Sequence, residues 1–275
     1  MKLTTDALWA DLDAWKRRAR ALHHEPYALY RDFYVGGDRP LAYIRKNSRE
    51  SDEHWLERLG RLVGANYCAP IVNKPVQAEY GGAVRRAVAD PELQARLDAI
   101  ARDNALHTFQ LTTARQRAID GTAIVQLYWA TAEGRGTRGE GRGGVRLKHI
   151  LPEHFFPVVT DDAGRIDAVI IDRSDGGASA ASSSSSTRPW SRVEIYTPDD
   201  IAIYEGGERV NDPAGLRFWQ RPARYGVLPF VVFNGRRLVG DVLGASMLRG
   251  VAELNHALNE SLNNVLEILR FQAFS

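Results

Sequence analysis

The C-terminal stretch, residues 236–275, carries the pattern that most constrains how this chain can fold. Apolar residues recur there at steps of three and four positions, so they share one face of a helix. The members of this stripe are Leu248, Val251, Leu254, Leu258, Leu262, Val265, Leu266 and Leu269. A helix from Asp241 to the final residue would be about 50 Å long at about 1.5 Å per residue, which exceeds the diameter of a small domain. We therefore expect it to pack against another subunit or against a continuation of the chain.

Polar residues occupy the other side of the same predicted helix. They are Glu253, His256, Asn259, Glu260, Asn263, Asn264, Glu267 and Arg270. A short apolar strand is predicted immediately upstream, at residues 227–233, and it runs into the turn pair Asn234 and Gly235. The helix is therefore expected to follow directly from a β-rich part of the chain.

Composition places the chain among ordinary globular proteins. Its 275 residues are 44% hydrophobic and 25% charged, which suffices for one large domain or two modest ones with a substantial core. A formal net charge of +2 excludes a wholly basic, histone-like nucleic-acid binder. The single cysteine, Cys68, excludes an intramolecular disulfide and a cysteine-based zinc site, and its apolar neighbours predict a core residue.

The sequence also predicts a soluble protein made in the cytosol. The first residues lack the apolar core of a signal peptide. No apolar run approaches the ~20 residues that a membrane span requires, so no membrane partner is expected.

Changes in the period of the apolar residues divide the chain into three parts. Residues 1–120 read as helical, with one helix over 52–63, another opening at Asp90 and Pro91, and regular structure interrupted at Pro70. Residues 121–235 read as β-rich, and a serine-rich stretch near 176–188 predicts a disordered linker. The predicted strands lie at 122–130, 145–150, 155–159, 166–172, 192–196, 201–204 and 227–233. With the helix of 236–275, this order predicts an α+β fold: N-terminal helices, an antiparallel β-rich part and a long C-terminal amphipathic helix.

Sequence patterns typical of catalytic sites are weak. The chain has no Gly-x-x-x-x-Gly-Lys-Ser/Thr phosphate loop, and the glycine-rich stretch 134–144 lacks the strand–turn–helix context of a dinucleotide site. Asp199, Asp200 and Glu205 are the only carboxylates whose spacing suggests a metal-dependent nuclease, and no lysine lies beside them. A turn between two strands is the better explanation of this spacing, but the nuclease remains an alternative. No cofactor and no metal ligand set is predicted.

Several segments, taken in order, are similar to a known family. They are residues 30–37 (YRDFYVGG), 62–72 (LVGANYCAPIV), 147–158 (LKHILPEHFFPV) and 226–234 (GVLPFVVFN). The most specific segment is the last, because it is followed by Gly240-Asp241 and by a helix bearing Asn255, Asn259 and Ser261. Together they resemble the portal proteins of tailed bacteriophages of the siphophage type, over the wing and the first stem helix.

The resemblance implies a structural protein without catalysis of its own. Such portals are rings, usually dodecamers, at one capsid vertex of the virion, assembled in the cytoplasm of the host bacterium. Double-stranded DNA passes through the ring without sequence preference during packaging and ejection. Terminase, capsid and head–tail adaptor proteins are the implied partners. A clip and a second stem helix would follow the first stem helix, so the chain resembles a portal truncated at Ser275.

Two sets of residues are predicted to make contacts between subunits or with DNA. The predicted subunit interface consists of Leu254, Leu258, Leu262, Val265 and Leu269, and the polar side of the helix would then line a channel. The predicted DNA contacts are Arg236, Arg237, Arg249 and Arg270. For each arginine, contact with water or with the adjacent subunit is an alternative at least as strong. A non-enzymatic adaptor that binds a partner helix through the C-terminal helix is a further alternative.

Overall fold

The computed structural model describes residues 3–82, 84, 86–130, 144–161, 164–173, 192–210, 226–237 and 241–273. Within them the chain forms eight α-helices and two antiparallel sheets, so the predicted α+β fold is confirmed. The predicted linker near 176–188 and the glycine-rich connection 134–143 lie outside the described residues.

Seven helices precede the first strand, and hydrogen-bonding side chains mark where several of them begin. The Asp90 carboxylate accepts from the backbone N–H of Glu92, with Pro91 as the first helical residue, as the sequence predicts. Thr4 and Ser51 cap two other helices in the same way. The helices are α1 (Thr5–Ala10), α2 (Leu12–Arg20), α3 (Tyr27–Val35), α4 (Asp52–Leu59), α5 (Cys68–Tyr80), α6 (Pro91–Asp103) and α7 (Leu106–Asp120).

Two expectations for this part are wrong. Pro70 does not interrupt regular structure: it lies in the first turn of α5, where a backbone N–H has no intrahelical acceptor in any case. Helix α4 ends at Leu59, four residues before the expected position, and residues 62–67 continue without helical structure. Cys68 is fully buried at the start of α5, and burial raises the pKa of its thiol to about 11, as suits a core residue.

The predicted strands are confirmed, with boundaries that differ by a few residues at most. The first sheet has the order β2-β1-β8 and the second the order β3-β4-β5-β6-β7, and every pairing is antiparallel. The strands are β1 (Thr122–Ala130), β2 (Gly144–Ile150), β3 (Phe155–Val159), β4 (Ile166–Asp172), β5 (Arg192–Tyr196), β6 (Ile201–Glu205), β7 (Glu208–Arg209) and β8 (Phe230–Asn234).

Alternating side chains of the second sheet build two different cores, because successive residues of a strand point to opposite faces. Along β4, Ala168 and Ile170 pack with α1 and α2, whereas Val169 and Ile171 pack with Ile124 of the first sheet. A third core joins α3, α5, α7 and the start of the last helix. The N-terminal helices therefore lie in two layers: α1 and α2 cover the second sheet, and α7 packs beside β1 of the first.

One arginine joins the helical and the β-rich parts. Arg31 of α3 donates to both carboxylate oxygens of Asp120, at 3.0 and 2.9 Å, and to Glu153 beside β3, at 2.5 and 2.8 Å. Asp120 is buried, and a charge there is tolerated only with such pairing. The end of α7 is thereby fixed against the residues that lead into the second sheet.

The C-terminal helix α8 (Val251–Ala273) begins ten residues later than predicted. Residues 241–250 instead form turns, and Ala245 forms a β-bridge with Arg236. Their backbone is held by the corner between α7 and β1: the Gly244 N–H donates to Thr122 Oγ1 at 2.8 Å, and Ser246 Oγ donates to the Ile119 carbonyl at 2.5 Å. The 23 residues of α8 span about 34 Å rather than the expected 50 Å.

Candidate subunit interface

Three asparagines fix α8 to the rest of the chain, and we call Asn255, Asn259 and Asn263 the asparagine ladder. They are spaced four residues apart, so they form one row along the helix. Each accepts a hydrogen bond from a backbone N–H of residues 63–67, the extended segment that precedes α5. These bonds join the N–H of Val63 to Asn263 at 3.0 Å, that of Ala65 to Asn259 at 2.8 Å and that of Tyr67 to Asn255 at 2.8 Å. The Asn263 and Asn255 amide groups also donate to the carbonyls of residues 63 and 65, at 2.8 and 2.9 Å.

The asparagine ladder can form because the spacing of every fourth side chain along the helix nearly matches the spacing of alternate N–H groups along the extended segment. Four residues of an α-helix rise about 6.0 Å, and two residues of extended chain span about 6.7 Å. Alternate N–H groups of residues 63–67 therefore meet successive turns of α8, with the two segments running antiparallel. All three asparagines are at most 4% exposed. They satisfy backbone groups that would otherwise cost free energy when buried without a partner.

The apolar stripe of α8 faces away from this contact. All five residues of the predicted interface are exposed, from 37% for Leu262 to 72% for Leu254. Three more large apolar side chains of the helix are exposed as well: Leu266, Ile268 and Phe271. We call Leu254, Leu258, Leu262, Val265 and Leu269 the apolar face of α8.

Helix α8 thus reverses the usual arrangement of an amphipathic helix. In a single globular chain the apolar side normally packs on the core and the polar side meets water. Here Asn259 and Asn263, which the sequence placed on a channel-lining side, are instead buried against the chain's own backbone. Only the start of the helix and the turn before it follow the usual pattern, through buried Ala252 and Leu248. A contiguous exposed apolar row of this kind is characteristic of an interaction surface.

A second contact holds the C-terminal half of α8. Nε2 of His54 lies 3.7 Å from Oε2 of Glu267, and the His54 ring lies 5.8 Å from that of Phe271. The other ring nitrogen of His54 lies 3.0 Å from Oε1 of Glu50, which also binds the guanidinium of Arg58. Helix α8 is therefore anchored along its polar side, and its apolar face remains outward.

The four predicted DNA-contacting arginines do not form one patch. Arg236 and Arg237 lie in the connection after β8, and Arg237 donates to the carbonyl of Asp241. Nε of Arg249 donates to the buried carboxylate of Glu25 at 3.0 Å, so this arginine stabilises the fold. Arg270 is exposed in the last turns of α8. The helix rises about 28 Å between residues 251 and 270, which puts Arg249 and Arg270 at opposite ends of it.

The carboxylates of the nuclease alternative are also separated. Asp200 precedes β6 and accepts from Thr5 Oγ1 at 2.8 Å and from Arg209 at 3.1 Å. Glu205 ends β6 and accepts from Arg192 at 3.1 Å. Five residues of a strand separate the two carboxylates by about 17 Å, too far to share one metal ion. Within the described residues, no three His, Cys, Asp or Glu side chains come together so as to hold a metal.

Sequence reasoning missed the asparagine ladder as a structural element. Its signal was present, since asparagine is a poor helix former and three of them at intervals of four residues need an explanation. The acceptor segment has no comparable pattern. Glu25 was also missed, although it binds both Arg249 and the backbone N–H of Ser246, at 2.9 Å.

No family model matches this chain, and no curated protein matches it. None of the helices in the described part of the chain has both the length and the apolar composition that crossing a bilayer requires.

Proposed function

We propose that this chain is a structural subunit of a ring of the phage portal type. It would form the DNA channel at a capsid vertex of the virion, after assembly in the host bacterial cytoplasm. Packaging and ejection of double-stranded DNA would be its role, without catalysis of its own. Terminase, capsid and head–tail adaptor proteins would be its partners.

The observation that carries the proposal is the exposed apolar face of α8. Burial of one such leucine or valine side chain contributes roughly 1.5–3 kcal/mol, so five of these side chains along one row supply a large driving force for association. The asparagine ladder supports this role because it fixes the orientation of the helix before assembly. A prearranged helix loses less conformational entropy on association than a mobile one.

A ring rather than a two-fold dimer is favoured by the way that a long helix can meet its neighbours. In a closed ring each subunit uses two different surfaces, one toward each neighbour. The apolar face of α8 would meet a surface of the adjacent subunit, and the same contact would repeat around the ring. The order of portal-like segments in the sequence supports the same arrangement.

The experiment is native mass spectrometry and negative-stain electron microscopy of the purified chain and of a double variant, Leu258→Glu with Leu262→Glu. We expect rings or a large defined oligomer for the unmodified chain. The two carboxylates would be buried without partners at the centre of the contact, so the variant should be monomeric.

The matched control is Leu56→Glu on α4. Leu56 is 68% exposed and so is comparable to the residues of the apolar face, but it lies on another helix. This control should assemble like the unmodified chain. A monomeric unmodified chain would contradict the ring. If that monomer bound an isolated amphipathic helix through the apolar face, the adaptor alternative would replace it.

A further inference from the structure

The rim between the two sheets brings cationic side chains around one buried carboxylate. Glu194 of β5 is only 5% exposed. Its Oε2 accepts from the hydroxyl of Tyr196 at 2.6 Å, and its Oε1 accepts from Nε of Arg192 at 2.9 Å. The guanidinium of Arg173 lies 3.9 Å from the same Oε1, which is an ion pair but is beyond hydrogen-bonding distance.

A third cation reaches this place from the first sheet. Lys148 of β2 is the direct cross-strand partner of Gln126, so their side chains leave the same face of the sheet. Two residues along the strands, Ile124 and Ile150 on that face pack against the second sheet. The Gln126 amide donates to the Tyr196 hydroxyl at 2.9 Å, which links it to Glu194.

These three residues, Lys148, Arg173 and Arg192, form what we call the inter-sheet cation cluster. Glu194 cannot neutralise it alone, because one carboxylate charge faces three cations. Glu205 accepts a hydrogen bond from Nη1 of Arg192 at 3.1 Å. The side chains of Lys148 and Arg173 make no hydrogen bond to any other described residue. Within the described part of the chain they therefore retain donors that a ligand could use.

The electrostatics of Lys148 agree with an excess of positive charge. Burial lowers the pKa of its ammonium, the charge of Arg173 lowers it further, and Glu194 only partly opposes this. An anion between Lys148 and Arg173 would relieve the repulsion and accept charge-assisted hydrogen bonds from both.

We propose that the inter-sheet cation cluster binds a phosphate group. Arginine offers a planar pair of donors and lysine a compact charge, and this combination suits a tetrahedral oxyanion. The group can be free inorganic phosphate or a phosphodiester of double-stranded DNA. The site lies within one chain, so it does not depend on the proposed ring.

The test is isothermal titration of the purified full chain with inorganic phosphate at low ionic strength, beside a 20-base-pair DNA duplex. We expect saturable binding of phosphate and about tenfold weaker binding in each of the variants Lys148→Gln and Arg173→Gln, since each removes one charge-assisted hydrogen bond. Lys148→Arg keeps the charge and should retain most of the affinity. If DNA is the source of the phosphate, duplex binding should weaken in the same variants. The salt dependence, as the slope of log affinity against log salt, should then fall by about 0.9 per lost contact.

Arg96→Gln on α6 is the matched control, because it removes an exposed arginine that, among the described residues, pairs with its helical neighbour Glu92. It should bind phosphate like the unmodified chain. Circular dichroism of every variant checks that the fold is retained. Absence of saturable phosphate binding, or equal weakening in Arg96→Gln, would overturn the proposal. Phosphate binding that depends on the cluster while duplex binding does not would support it, with free phosphate as the ligand.

Discussion

At the scale of single residues, Asn259 holds the centre of the asparagine ladder. Its side-chain oxygen accepts from the backbone N–H of Ala65 at 2.8 Å, and the residue is 1% exposed. Asn259→Ala removes the acceptor of that partly buried N–H, which should lower the free energy of unfolding by about 1–3 kcal/mol. Urea denaturation followed by circular dichroism measures the loss. Asn264→Ala, on the exposed side of the same helix, should change stability by less than about 0.5 kcal/mol. Equal losses in both variants would contradict a specific role for the ladder.

A second residue makes the stability of the chain depend on pH. His149 stacks on the ring of Phe109 at 4.0 Å between centroids, and its Nε2 lies 2.8 Å from Thr113 Oγ1. Burial lowers the pKa of this histidine below its usual 6.5. The unfolded chain therefore takes up a proton at higher pH than the folded chain. The stabilisation is present above pH 6.5 and is lost as pH falls through the folded pKa.

The measurement for His149 is the unfolding free energy at pH 7.5 and at pH 5.5. The unmodified chain should lose more stability between the two than His149→Gln does, because glutamine does not titrate. His107→Gln removes an exposed histidine and should behave like the unmodified chain. An unchanged pH dependence in His149→Gln would show that other groups account for it.

At the scale of elements, the corner between α7 and β1 requires glycine. Gly121 has φ 78°, and a Cβ there would lie 2.4 Å from the carbonyl oxygen of Gly244. Gly37 also has a positive φ, 65°, but a Cβ there would meet open space. Gly37→Ala should therefore cost only the ~1–2 kcal/mol of a left-handed alanine, whereas Gly121→Ala should cost clearly more. Thermal unfolding compares the two. If Gly121→Ala does not fold, it should give little soluble protein and be degraded rapidly by protease, while Gly37→Ala stays soluble and resistant. That outcome would also show that Gly121→Ala is the more costly change. Equal melting temperatures would contradict the argument.

The same corner explains which elements could be predicted from the sequence and which could not. The strands follow from local runs of apolar, β-branched and aromatic residues bounded by turn residues, and no distant contact is needed to predict them. The start of α8 does not, because the apolar pattern continues through Leu243 and Leu248 while Gly244 is held by Thr122 and Asn234, far away in the sequence. Tertiary hydrogen bonds there override a helical pattern.

The candidate subunit interface was likewise only partly predictable from the sequence. The apolar row of α8 could be predicted, since periodicity alone defines it. Which side of the helix would be buried could not, because the asparagine ladder depends on the extended segment 62–67, which was expected to be partly helical. The polar side of a helix is normally predicted to face water, unless the hydrogen-bonding partners that the fold supplies to it are known.

At the scale of the whole molecule, the exposed face of α8 makes stability depend on protein concentration. Association that buries this face favours the folded chain by mass action, so the melting temperature should rise with concentration. A hundredfold excess over the dissociation constant contributes about 2.7 kcal/mol, which is a measurable shift for a chain of this size. Differential scanning fluorimetry from about 0.5 to 50 µM protein would follow it, with the aim of spanning the dissociation constant.

Leu258→Glu with Leu262→Glu should give a melting temperature that is independent of concentration, and Leu56→Glu should retain the dependence. The double variant keeps all three asparagines of the ladder, so its folded monomer should remain intact and its stability should match that of the unmodified chain at high dilution. A loss of stability in the double variant at every concentration would instead mean that Leu258 and Leu262 stabilise the monomer itself. A concentration dependence that persists in the double variant would place the association surface elsewhere on the molecule.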